Sequence, residues 1–131
     1  MSKSSRMSKL LYRGDSHFED METELVFMEF APPAAPLAIA RFLPAAKIQW
    51  LGAPIGWEGD EPHPVPARSV FVTTQGEYIV IASDGDVRNF PVGSVLLLED
   101  TWGAGHQTSN SGDIDVVALI VSVPDPETSG S

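Results

Sequence analysis

Three histidines and no cysteine define the chemistry open to this 131-residue chain. Without thiols there are no disulfides, thiolate metal sites or cysteine nucleophiles. Imidazole titrates near neutral pH, so His63 and His106, facing one pocket, could act as general acid and base. His63 follows Asp60-Glu61-Pro62 and reads equally as a solvated loop residue. His106 follows Gly103-Ala104-Gly105, small residues that allow close approach of another backbone, and a hydrogen-bonded structural role is open to it too. Glu99-Asp100-Thr101 ends an apolar run. There Asp100 either stabilises a turn, or Glu99 or Asp100 supplies a carboxylate that serves as acid or orients His106. Arg68 pairs with an acidic surface or forks a substrate carboxylate. Trp50, Trp57 and Trp102 pave a small apolar cavity or belong to a core or dimer interface. His17 is placed in an N-terminal arm, as a structural residue or as cover for a partner subunit.

The elements that must position these residues are almost all β. Short apolar or alternating runs cover residues 24–30, 37–43, 46–51, 67–74, 77–83, 87–90, 95–98 and 115–123. Gln75-Gly76 reads as a hairpin turn, and Asp84-Gly85-Asp86 as a second turn. No segment carries a sustained 3.6-residue period with caps, so long helices are not expected. Turn signals every 8–12 residues, and 11 Gly with 11 Pro, suit an antiparallel sandwich or barrel. Positions 63, 65, 67, 69, 71 and 73 share one strand face. An inward face would put His63, Ser69, Phe71 and Thr73 in the interior, with Arg68, Pro64 and Pro66 directed outward.

Composition narrows the partners. Eight Lys and Arg stand against 18 Asp and Glu, for a net charge of −10. That surface repels phosphate backbones and anionic lipid, so neither nucleic acid nor a membrane is expected as partner. The hydrophobic share of 43% can fill one core. No apolar run is long enough to span a bilayer, and no apolar segment follows the basic opening MSKSSRMSK, so a soluble cytoplasmic protein is expected. Residues 1–9 read as a disordered N-terminal arm, 10–123 as the folded domain and 124–131 as a disordered tail. No phosphate loop, GxSxG elbow, HExxH or CxxC is present.

Two stretches, HPVPARSVFVTTQG (residues 63–76) and GSVLLLEDTWGAGHQTSN (residues 93–110), resemble the paired motifs of the cupin superfamily. In the first, His63 fits the first His, Val65 the second His, Ser69 the Glu and Gly76 the closing Gly. In the second, Gly93 fits the opening Gly, and His106 with Asn110 keeps the His-x3-Asn spacing, while Glu99 stands where the family has Pro. SHFED (residues 16–20), PVGSVLLLEDTWGAGH (residues 91–106) and QGE look like a sub-group of short single-domain cupins. The resemblance implies an antiparallel jelly-roll barrel over residues 10–123 and a homodimer whose N-terminal strands pair across subunits. Metal-binding cupins hold their ion with three His and one Glu, and here only His63 and His106 remain. A divalent ion would need a further ligand from Glu58, Asp60, Glu61, Glu99 or Asp100, so no cofactor is expected.

The leading expectation is a small-molecule enzyme of isomerase, cyclase or lyase type without a redox cofactor. His63 and His106 would move protons, Glu99 or Asp100 would assist, and Trp57, Arg68, Ser69, Phe71 and Trp102 would bind substrate. The alternatives are a non-catalytic ligand-binding cupin and a metal-dependent oxygenase holding its ion through His63 and His106.

Overall fold

Alternating and apolar runs cover most of the chain, and they pair into two facing sheets. The structure is a computed structural model and describes residues 3–13, 15–40, 44–59 and 61–124. Its strands are β1 (Lys3–Arg13), β2 (Asp15–Met28), β3 (Leu37–Ile39), β4 (Lys47–Ala53), β5 (Ser69–Gln75), β6 (Tyr78–Ala82), β7 (Val87–Phe90), β8 (Val95–Leu98), β9 (His106–Asn110) and β10 (Val116–Ser122). The large sheet has the order β3-β2-β1-β8-β5-β10-β4, and the small one β7-β6-β9. All pairs are antiparallel except β1 with β8. The fold is all-β, as expected, but its sheets do not close into a continuous barrel. Among the described residues no helix is long and apolar enough to cross a membrane.

The core lies between the sheets because the inward positions of most strands are apolar, β5 and β9 being the exceptions. In β6, Tyr78, Val80 and Ala82 are buried while Ile79 and Ile81 are only partly so, a strict two-residue period. Leu96 and Leu98 of β8, Val116 of β10, Leu10 of β1, Phe18 of β2 and Phe90 of β7 complete the cluster. Burying a side chain such as Leu96 contributes about 1.5–3 kcal/mol, and its truncation to Ala would cost about 2–5 kcal/mol.

Three features depart from the sequence-based expectation. From Lys3 onward, the segment read as a disordered arm runs as β1 along β2. In the register Lys9 stands across from Glu19, an opposite-charge pair, and the core residue Leu10 across from the core residue Phe18. His17 accordingly lies in a strand, with Nε2 3.3 Å from Glu19 Oε2. Second, Gln75-Gly76 is no hairpin. β5 pairs with β8 and β10 while β6 pairs with β7 and β9, so this turn crosses from one sheet to the other. Third, β9 is a strand although its sequence, HQTSN, is wholly polar; it completes the small sheet beside β6. The segment read as a C-terminal tail lies outside the described residues beyond Pro124.

Candidate functional site

Glycine at position 105 allows the two key histidines to meet. Its φ is +74°, and a Cβ there would overlap the His63–Pro64 peptide. The chains therefore approach closely enough for an antiparallel bridge. The His63 N–H donates to the His106 carbonyl at 2.9 Å, and the His106 N–H to the His63 carbonyl at 3.0 Å. Their rings lie 5.3 Å apart, centroid to centroid, tilted by 47°. Ser16 anchors the same point from β2: its hydroxyl donates to the Gly105 carbonyl at 2.6 Å and accepts from the Ser83 N–H at 2.7 Å, while its own N–H donates to the Ser83 hydroxyl.

Asp100 and His106 form a buried pair. Asp100 is fully buried and His106 nearly so, with Nδ1 and Oδ2 2.6 Å apart. A carboxylate can only accept, so Nδ1–H donates to Asp100 and Nε2 is the nitrogen left for a ligand. His63 is exposed, and its Nδ1 lies 3.3 Å from the Glu61 carbonyl, which again leaves Nε2. The Asp100 carbonyl accepts from the Val65 N–H at 3.1 Å, tying the loop before β5 to the end of β8. Asp100 Oδ1 has no hydrogen-bond partner.

Both histidines line a cavity of about 460 Å3 between the sheets. Of the other expected site residues, Trp57, Ser69 and Phe71 line it too. The Ser69 hydroxyl donates to the Ala67 carbonyl at 2.7 Å, so toward a ligand it can only accept. Parity along residues 63–73 places these side chains as expected, except that Pro66 also lines the cavity and Thr73, though buried, does not.

Glu99, Arg68 and Trp102 lie outside the lining. Arg68 Nε donates to Glu99 Oε2 at 2.6 Å, and its Nη1 to the Pro124 carbonyl at 3.1 Å. Lys9 Nζ sits 3.2 Å from Glu99 Oε1. The Arg68 guanidinium thus has a carboxylate partner within the chain, on the face that parity had assigned to it. Asp100 does not line the cavity either; it touches His106 from behind. Trp50 and Trp102 are 65% and 67% exposed, so of the three tryptophans only Trp57 lines the space.

Sequence reasoning missed Tyr78 and Lys47, both of which line the cavity. Tyr78 is buried, stacks on Phe90 at 5.3 Å, and has no hydrogen-bond partner for its hydroxyl. Burial pushes its pKa up from 10.0 to about 12, with the neighbouring Thr73 hydroxyl pulling it slightly back. The signal was present in the alternation Tyr78, Val80, Ala82, which puts a phenol on a core face. Asn110 is structural: its Nδ2 donates to the Ala53, Pro54 and Ile114 carbonyls, and its Oδ1 accepts from the Gly112 N–H.

The architecture is similar to the double-stranded β-helix fold of a solved cupin structure. The crystal structure of an RmlC-like cupin family protein from Methanocaldococcus jannaschii matches 81% of this chain and 95% of that chain. The TM-score is 0.51 and the sequence identity 15%. No protein-family model matches the sequence, and no curated protein matches it significantly.

The donor set does not match the three His and one Glu that the sequence resemblance implies for a metal. Of the four positions that the resemblance assigns to ligands, Val65 is buried hydrocarbon and Ser69 a hydroxyl engaged with the backbone. The His106 imidazole gives its Nδ1 to Asp100, leaving one nitrogen from each histidine. Among the described residues no three His, Asp or Glu side chains converge on one point, and Asp60 lies outside those residues. Two imidazoles fall short of the three protein ligands typical of a catalytic site.

Proposed function

We propose that the chain is a small-molecule enzyme of isomerase, cyclase or lyase type, working by proton transfer between histidines without a resident metal. The observation that carries this is the buried Asp100–His106 contact of 2.6 Å with the His63 ring 5.3 Å away, both rings lining one cavity. Asp100 holds His106 in a single tautomer, as a base requires. One imidazole takes a proton from the carbon beside a substrate carbonyl, and the electron pair moves into an enolate. The other imidazole, protonated, returns a proton to carbon, and the two exchange charge states.

The test is solvent-deuterium exchange into small ketones, such as 2-tetralone and 4-phenyl-2-butanone, followed by NMR in D2O. The expected result is exchange well above buffer, reduced about 10²–10⁴-fold in His63→Ala and Asp100→Asn. It should also survive a chelator. Exchange that a chelator abolishes and a divalent ion restores would move the chemistry to a metal. Binding of the ketones with no catalysed exchange would leave a ligand-binding protein in place of an enzyme.

A second copy of the chain is the proposed partner. Val26, Phe27 and Met28 of β2 and Ile48 and Trp50 of β4 expose 44–67% of their surfaces, more apolar area than strands facing solvent usually carry. Sedimentation should give a dimer, and a monomer at micromolar concentration would exclude it.

A further inference from the structure

In a chain with 18 acidic residues, none of the described carboxylates lines the cavity. Its titratable lining consists of Lys47, His63, Tyr78 and His106. Four basic side chains are described: Lys9, Lys47, Arg68 and Arg88. Lys9 and Arg68 share Glu99, and Arg88 donates to Asp20 at 2.7 Å. Among the described residues, Lys47 alone of the four has no carboxylate partner. This ammonium, beside a cavity that none of the described carboxylates lines, is free to take an anion from elsewhere.

The strand register locates that anion. Lys47 stands opposite Ser122, Ser122 opposite Ser69, and Ser69 opposite Leu98, so the four form one row across the large sheet. All four line the cavity, and three of them, Lys47, Ser122 and Ser69, are polar. Asp100 lies two residues beyond Leu98 and holds His106, so both histidines share this end. Toward the other end the lining turns to hydrocarbon and ring: Phe71, Leu96, Val116, Ala118, Val80 and Tyr78. We infer that the cavity takes a monoanionic carboxylate on an apolar, one- or two-ring body, with the carboxylate at Lys47 and the body among these side chains. The single cation and the net charge of −10 disfavour a dianion such as a phosphate ester. This assignment rests on the cavity being the ligand site and adds the class of ligand.

The test is calorimetric titration with one shape in three charge states: 4-phenylbutanoate, 4-phenylbutanamide and 4-phenylbutylamine. The carboxylate is expected to bind about tenfold tighter than the amide, as one charge-assisted contact in a partly open site provides. The amine should bind weakest. High salt should narrow the gap, and Lys47→Gln should remove it while leaving amide affinity unchanged. Lys47 is exposed on an edge strand, so this variant should fold normally. Equal affinity for carboxylate and amide would overturn the assignment and leave the cavity as the ligand site. A carboxylate advantage that persists in Lys47→Gln would remove Lys47 from it. Failure of all three probes to bind would overturn both readings.

Discussion

The two ends of the cavity solve the problem of burying polar atoms in opposite ways. At the histidine end, Asp100 Oδ1 is unpartnered but Oδ2 has a partner at 2.6 Å, Ser16 bonds the Gly105 carbonyl, and Val65 bonds the Asp100 carbonyl. At the far end, the Tyr78 and Thr73 hydroxyls are buried with no partner in hydrogen-bonding geometry. The first end is held by a polar network and the second by packing, since Tyr78 stacks on Phe90 and Phe90 lies 6.2 Å from Phe18. A network fixes ring orientation and tautomer, which proton transfer needs. Packing fixes shape, which accommodates an apolar body. Substitutions at the two ends should therefore differ in sign as well as in size.

The largest effect is expected where the network is cut. His106→Ala leaves the Asp100 carboxylate fully buried with no partner on either oxygen, and should destabilise the fold by about 3–5 kcal/mol in urea unfolding. Replacing both members, His106→Leu with Asp100→Leu, should recover much of that loss, because a buried pair exchanged for hydrocarbon is often near neutral. A cost below about 1 kcal/mol for His106→Ala would mean that Asp100 takes up a proton or water cheaply, and the contrast between the ends would fall.

How much of this was legible depended on whether the signal was local. The two-residue period along residues 63–73 placed Ser69 and Phe71 inward and Arg68 outward, because parity is a local property of a strand. The small residues before His106 announced a close approach, and Gly105 provides it against His63. Gly76 announced a turn correctly, with φ at +73° and Asp115 O 2.8 Å from where a Cβ would stand. Which strands that turn joins is a long-range matter, and there the local reading failed. β1 was hidden because its low hydrophobicity resembles an arm, and its order comes from a long antiparallel pairing with β2 that no local pattern announces. Lys47 was hidden inside an apolar run: its importance lies in what surrounds it, a lining to which none of the described carboxylates contributes.

A smaller effect, of opposite character, is expected at the far end. The Tyr78 pKa rises from 10.0 to about 12, so between those values the folded chain keeps a phenolic proton that the unfolded chain has lost. With more protons bound folded than unfolded, stability falls as pH rises through this window, and it is fully present below pH 10. The whole loss is about 3 kcal/mol if the shift is fully expressed. Tyr78→Phe should flatten that decline relative to wild type. At neutral pH the same substitution deletes a hydroxyl that makes no hydrogen bond, while keeping the ring on Phe90. Removing an unsatisfied buried polar atom should leave stability unchanged or raise it by about 1 kcal/mol, where removing a bonded one would lower it by a similar amount. Urea unfolding of wild type and Tyr78→Phe at pH 7 and pH 11 measures both effects. If Tyr78→Phe instead destabilises at pH 7, its hydroxyl has a partner, Thr73 or a bound water, and the far end is held by a network as the histidine end is.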